Sequence, residues 1–455
     1  MKSWLFQGIL IFVSLASHAQ PDIHLRSPDK KILVEIKTDS VPAYSVYVDE
    51  KKILDESEID MNLSNGRSLS TDKKTIKKNE RSVREIIIAQ IPVSRKYIPD
   101  EFNELSVQFS NQFTIVFRAY NDGIAYRIQT SFSDSITVLK EIAAFKFIKE
   151  AHAFAPVIGK REGQDIFHTS FEELYPYKKL DSLSEKDFMY SPVLVRTNEN
   201  VWMAITESDL DDYPGMFLQG TSGNILKASF AGYPLEEQMA DGEYPEMIVR
   251  KRAAYIAKTN GSRNFPWRVM LVARRDKDLP ANDLVYRLAS GSTIKETNWI
   301  HPGKCTDEWI IDINLFNVPF RTGINTETYK YYIDFAKRFG FSRIMMDAGW
   351  SDTKDLFKIN PDLNMVSLAA YARSQRIGLS MWTLSMTLNR QLDSALKQFQ
   401  RWGVDFIMTD FIDRDDQKTV NIYKKITVAC AKAKIMIMFH GAYPPKGFNR
   451  TYPNN

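Results

Sequence analysis

Apolar and polar positions follow two rhythms along this chain, and the change between them falls near residue 290. Before it, short runs rich in β-branched and aromatic residues alternate with polar ones and are broken by Asn, Asp, Gly and Pro. The clearest cover residues 32–36, 44–48, 85–91, 105–109, 113–118, 123–129, 201–205, 225–230 and 267–273. Strands at this spacing, with turn signals between them, predict a large antiparallel sandwich. Asn121-Asp122-Gly123 reads as one of its hairpin turns.

After a helix over 283–289 and a connecting passage, the spacing becomes helical and strand-like in turn. Residues 309–315 read as a first strand, 326–339 as a helix stopped by Gly340, and 341–346 as a strand running into Asp347. A helix over 365–375, a strand over 377–381 ending at Trp382, and an amphipathic helix over 389–402 stopped by Gly403 follow. A strand over 406–409 ends at Asp410, a helix spans 418–433, and a strand over 435–439 ends at His440. Such regular alternation means parallel βα units, and the period suits a TIM barrel. A doubly wound open sheet would lead one to expect a glycine-rich phosphate loop after an early strand, and the sequence has none. With five strands read, the barrel is expected to be incomplete within this sequence, since closure takes eight. The expected fold is therefore multidomain β plus α/β, with a sandwich over 20–290, a linker over 291–308 and a partial (β/α)8 barrel over 309–455.

Composition adds a few exclusions. The 60 basic and 56 acidic residues are mixed along the chain and leave a net charge of +4, so nothing suggests a nucleic-acid partner. Lys2, the apolar run 4–15 and the small residues before Gln20 have the form of a secretory signal peptide over 1–19. That run is too short to span a bilayer, no later one is long enough, and no cysteine stands near the cleavage site to carry a lipid. A soluble exported protein is expected, periplasmic in a bacterium. Two cysteines, Cys305 and Cys430, rule out a cysteine metal centre; they could pair, but Cys430 among apolar helix residues reads as a buried, inert thiol. Aromatic residues make up 12% of the chain, enough to suit a sugar binder, although core packing uses most of them.

The chemistry concentrates at the strand ends. In a barrel the catalytic groups come from the carboxyl ends of the strands. Here those ends offer Asp347 with Trp350, then Trp382, then Asp410 with Asp413, then His440. Acids, indoles and an imidazole on successive strands describe a site for a polar ligand with apolar faces, which is a sugar. Asp410 shares side-chain parity with Phe406 and Met408, so it is not simply a solvated charge. Asp416 reads as the cap of the next helix, and Asp413 and Asp415 as cleft or loop charges. Trp350 and Trp382 could equally pack the barrel rim, and His440 could be structural. The loop carboxylates Glu172, Glu173, Glu207, Asp209, Asp211 and Asp212 read, on the residues alone, as solvated turns or caps.

The strings DAGW (347–350), MTDFIDRDDQ (408–417) and FHGAYPPKGFNRTYPN (439–454) resemble the catalytic-domain motifs of glycoside hydrolase family 97. NWIHPGK (298–304) resembles its domain junction, and ITESDLDDYPGM (205–216) its amino-terminal sandwich. The resemblance implies an exported, calcium-dependent, exo-acting α-glycosidase with a β-supersandwich, a (β/α)8 barrel and a small carboxy-terminal β-domain. Asp410 stands where the retaining branch, which includes α-galactosidases, has its nucleophile. It implies a covalent glycosyl-enzyme on Asp410, with Asp347, Trp350, Trp382, Asp413, His440, Lys446 and Arg450 around an oligosaccharide or α-galactoside. One calcium ligand is expected from the sandwich, Glu172 or else Glu207. The acid/base glutamate and most calcium ligands belong to family segments after 439–447 and are not in this sequence, so the chain is expected to be inactive on ordinary substrates and to fold poorly beyond the sandwich. An α-glucosidase of the same family and a non-catalytic carbohydrate-binding remnant are the alternatives.

Overall fold

A computed structural model describes residues 23–455 except Lys149 and Asn198; the expected signal peptide lies outside the described residues. The first part of the chain forms two large antiparallel sheets, of nine and ten strands. Their inward positions follow from simple alternation: Ile32–Lys37 buries Ile32, Val34 and Ile36 and turns the residues between them toward solvent. The expected hairpin joins Phe113–Tyr120 to Gly123–Ser131 through Asn121-Asp122, with Tyr120 opposite Gly123. One continuous core fills the space between the sheets, from Ile23 to Val272, and extends into the second half of the chain through Val420, Tyr423 and Tyr443.

The second half builds a four-stranded parallel sheet from Arg343–Met346, Gly378–Leu384, Val404–Asp410 and Met436–Phe439, in that order. Arg343–Met346 is buried on both faces, as a parallel strand covered by helices must be. The helices start and stop where their sequences say. Asn325 caps Thr326–Phe339 by accepting from the Thr328 N–H, and Gly340 ends it in a left-handed turn. Asp416 caps Gln417–Lys432 through the Thr419 N–H.

One element departs from expectation. Residues 309–315 are not a strand. Trp309–Ile311 is a 3-10 turn, and Asp312 and Ile313 both take positive φ, of 53° and 52°. The first parallel position is taken instead by a single bridge between Cys305 and Arg343. Just after it the Glu308 carboxylate accepts from the Asp347 N–H at 2.9 Å, and the backbone carbonyl of Glu308 accepts from both Ile311 and Ile313. The chain therefore turns away, leaving Trp309 and Ile310 exposed.

Sandwich and barrel are joined by the segment that follows Asp410. Asp413, Arg414, Asp415, Asp416 and Gln417 are all buried. Thr169 donates its N–H to the Asp413 carbonyl, and Gly215 donates to that of Asp415. Arg414 reaches Glu237 and the Met247 carbonyl, Arg252 reaches Asp416, and the Gln417 amide donates to Asp212 and the Lys258 carbonyl. Gly215 has no room for a side chain, because a Cβ there would lie 1.9 Å from the Asp415 carboxylate. Asp413 and Asp415, expected as cleft or loop charges, are thus parts of a domain seam.

Candidate active site

Asp410 is the last residue of a buried parallel strand, where the chain must turn out of the sheet. Phe411 and Asp413 immediately after it both hold positive φ, 59° and 49°, conformations that non-glycine residues keep only where the surroundings enforce them. The carboxylate receives the Phe411 N–H on Oδ1 at 2.7 Å and the indole N–H of Trp382 on Oδ2 at 3.2 Å. Two donors on separate oxygens fix the direction of the carboxylate. His440, from the next strand end, brings Nδ1 to 3.4 Å from Oδ1, and its ring is half exposed. The same nitrogen lies 3.9 Å from Glu172, an exposed carboxylate contributed by the sandwich. Asp410, Trp382, His440 and Glu172 therefore converge from three strand ends and one sandwich loop.

Asp347 adjoins the group. Its carboxyl is pushed up to about 6, first by burial and then by Asp307 and Asp410, against the Ala348 N–H and His440, which act the other way. Behind it, burial raises Glu308 to about 7. Asp413 backs the cleft rather than lining it: burial, with Glu246, lifts its carboxyl to about 7, while Arg161, 3.5 Å away, opposes the shift. A further residue at this point is His168, whose Nε2 lies 2.6 Å from Glu246 and 3.9 Å from Asp413.

Four expected site residues are placed elsewhere. Trp350 is fully buried, donates its indole N–H to the Trp382 carbonyl and packs edge-on against Phe399 and Trp402; it supports Trp382 from below and touches no cleft. Lys446 is buried, with Nζ between Ser191 and the Glu207 carboxylate, which lies 3.5 Å away. Arg450 donates one amino group to the carbonyls of Tyr286, Arg287 and Ala289, closing the helix Leu284–Leu288. Glu207, on a strand and not a loop, is fully buried and paired with two cations, Arg268 at 2.5 Å and Lys446 at 3.5 Å, and also accepts from the Met216 N–H, so its charge is already compensated and a metal ion beside it would be repelled by both. Glu172 keeps an accessible carboxylate, one oxygen ligand of the six to eight that calcium takes. His168, Glu246 and Asp413 bring three donor atoms within 4.8 Å, but an imidazole nitrogen and the Arg161 guanidinium make that cluster unsuited to calcium.

Tyr244 is a residue the sequence did not disclose. It sits at the tip of the hairpin formed by Pro234–Met239 and Met247–Arg252, stacks on Phe411 at 5.5 Å and meets Trp382 edge-on at 5.9 Å. Nothing in the string DGEYPE distinguishes it from an ordinary turn tyrosine.

A parallel-barrel strand ending in a carboxylate that is held by two N–H donors and flanked by tryptophan and histidine defines a carbohydrate-cleaving enzyme. Residues 25–290 match the family described as glycosyl-hydrolase 97 N-terminal, and residues 309–455 match glycoside hydrolase 97. The chain belongs to glycoside hydrolase family 97. It is 33% identical over 460 residues to a retaining alpha-galactosidase of Bacteroides thetaiotaomicron, an overlap covering 100% of this chain and 69% of that protein. It is 26% identical over 355 residues to a probable retaining alpha-galactosidase of Streptomyces bingchenggensis, covering 75% of this chain and 49% of that one. Its fold matches a family 97 enzyme from a Pseudoalteromonas species in complex with acarbose, with a TM-score of 0.81 at 21% identity over 95% of this chain and 68% of that one.

Proposed function

We propose that this chain carries the nucleophile half of a retaining α-galactosidase acting from the non-reducing end: Asp410 bonds to the anomeric carbon as the glycosidic C–O bond breaks, and the leaving oxygen takes its proton from the acid/base glutamate that the family resemblance places after residues 439–447. The carrying observation is the pair of donors on that carboxylate. With Oδ1 engaged by the Phe411 N–H and Oδ2 by Trp382, the carboxylate is held in one direction, as attack on an anomeric carbon requires. Asp347, with its raised carboxyl beside Asp410, is suited to hold sugar hydroxyls in either protonation state. His440, half exposed between Asp410 and Glu172, is suited to the rim of the same sugar. The relatives named as retaining α-galactosidases support the sugar and the stereochemistry.

Calcium belongs to this proposal through Glu172 alone, as the sandwich's contribution to a site completed by other oxygen ligands. The amino-terminal pattern supports export, with the periplasm as the working compartment in a double-membraned bacterium.

The reading is tested by mechanism-based labelling, in which fluoride leaves with little need of an acid. Incubation with 5-fluoro-α-galactosyl fluoride is expected to add one fluorosugar to a peptide containing Asp410, and Asp410→Asn is expected to abolish the adduct. A label on another residue, or none, would overturn it. The glucosyl analogue distinguishes the α-glucosidase alternative.

A further inference from the structure

Among the described residues, the ten-stranded sheet ends in a strand that has a neighbour on one side only. Thr75–Ile88 pairs along its length with Tyr97–Phe109 and is the last strand in the order. Nearly all of it is exposed, on both faces, with Ile86 at 64% and Ile88 at 61%, so the strand stands clear of the core. Such an edge presents a row of backbone N–H and C=O groups that its own sheet does not pair, a template for another strand. Its side chains are held from the neighbour's side: Arg81 grips Glu104, Ser82 donates to Asn103, and Arg84 reaches Glu101 at 3.4 Å while remaining 80% exposed.

Charges along an edge normally keep other strands away. Here their order is self-complementary. Laid antiparallel on a copy of itself about Ser82, the string KKNERSVREII (77–87) sets Glu80 opposite Arg84 twice and Asn79 opposite Glu85. The aliphatic stems of Lys77 and Lys78 come to lie against Ile87 and Ile86, and no like charges face each other. Sliding the copy by two residues, the smallest step that keeps each face on its own side, is worse in both directions. One slide sets Lys78 opposite Arg84 and Arg81 opposite itself; the other leaves Glu80 against Ile86.

We propose that Thr75–Ile88 is a homodimer interface, at which two copies of this chain join their ten-stranded sheets edge to edge about a two-fold axis at Ser82. The overlap over 77–87 is about 37 Å long. Backbone hydrogen bonds supply the affinity, and the two Glu80–Arg84 pairs set the register. Arg84 then lies between Glu101 of its own chain and Glu80 of the partner subunit. Each copy uses this edge once, so the assembly closes at two.

The test is sedimentation equilibrium of the full chain across a concentration series, which is expected to show monomer and dimer and no larger species. Glu80→Arg and Arg84→Glu each place two like-charge pairs across the axis and are expected to weaken dimerisation about 10-fold or more. The double variant restores both pairs with the signs exchanged and is expected to return to within about 3-fold of the parent. Neither residue is buried, so the fold tolerates all three changes. Ser82→Cys, on oxidation, is expected to give a covalent dimer, because its two copies face each other at strand-pair distance. Asn79→Cys, about 20 Å from its copy in this register, is expected to give none. A monomer at every concentration, a dimer indifferent to the single reversals, or one that the double variant fails to restore would overturn the proposal. Species that keep growing past the dimer would overturn it as well.

Discussion

The indole N–H of Trp382 donates to Oδ2 of Asp410 at 3.2 Å, so two adjacent parallel strands, paired in register from Ser380 with Phe406 onward, end in one hydrogen-bonded couple. A neutral donor on a charged acceptor contributes roughly 1.5–3 kcal/mol. Trp382→Phe keeps an aromatic ring, though a smaller one, and removes the donor. It is expected to slow labelling of Asp410 by the fluorosugar about 10- to 100-fold with little change in melting temperature. An unchanged labelling rate would show that the couple has no part in orienting the carboxylate.

Gly441 closes the other side. Its φ is +50°, and a Cβ there would stand 2.9 Å from Oδ1 of Asp410 and 3.1 Å from Oδ1 of Asp413. Gly441→Ala therefore pushes on both carboxylates at once and adds left-handed strain of about 1–2 kcal/mol. The expected result is loss of labelling with a melting temperature lowered by a few degrees, about the shift such strain produces; full labelling at the normal rate would contradict this geometry.

The buried charges of the sandwich predict a large effect on stability. Arg268 is buried between Glu141, which it grips with two hydrogen bonds of 2.7 Å, and Glu207, which also meets Lys446. Removing one partner leaves the others charged and unpaired away from water, a loss of about 3–5 kcal/mol. Arg268→Ala is expected to lower urea stability by that amount, and Arg81→Ala, whose guanidinium is largely solvated beside Glu104, by less than about 1 kcal/mol. Similar losses for the two would refute the distinction.

The pH dependence has a definite sign. Burial raises Glu308 to about 7 from a usual value near 4.5, so the native chain holds a proton there that the unfolded chain has released. Where the native state binds more protons, stability falls as pH rises, here between about pH 4 and pH 7. Glu308→Gln keeps the oxygen that accepts from the Asp347 N–H and removes the titration. Denaturation across that range is expected to show a shallower decline in the variant, with a gain on the order of 2 kcal/mol at pH 8. An unaltered slope would remove Glu308 as a source of the dependence.

Glu172 gives the metal prediction. If the sandwich contributes its carboxylate to calcium, added calcium raises the melting temperature by mass action on the folded state, and Glu172→Ala reduces that rise. Glu207→Gln, which alters a buried carboxylate already paired with Arg268 and Lys446, changes stability without changing calcium dependence.

Much of the fold could be read from local pattern. Asp416 as a cap, Gly340 and Gly403 as stops and the Asn121-Asp122 hairpin all depend on nearby residues alone. The place of Asp410 at the end of a strand was legible for the same reason. The failures share a different cause. Lys446, Arg450 and Glu207 are charges whose partners lie in another part of the chain, and a lone sequence does not show whether a charge meets water, a ligand or a buried counter-ion. Residues 309–315 carry strand-forming side chains, but hydrogen bonds to Glu308 turned them away from the sheet.

The stitching of residues 413–417 into the sandwich makes the two halves non-interchangeable. A chimaera that took its barrel from one relative and its sandwich from another would inherit a reactive loop cut for a different mould, with Gly215, Glu237 and Arg252 on the wrong side of the graft. The loop and its socket therefore have to travel together.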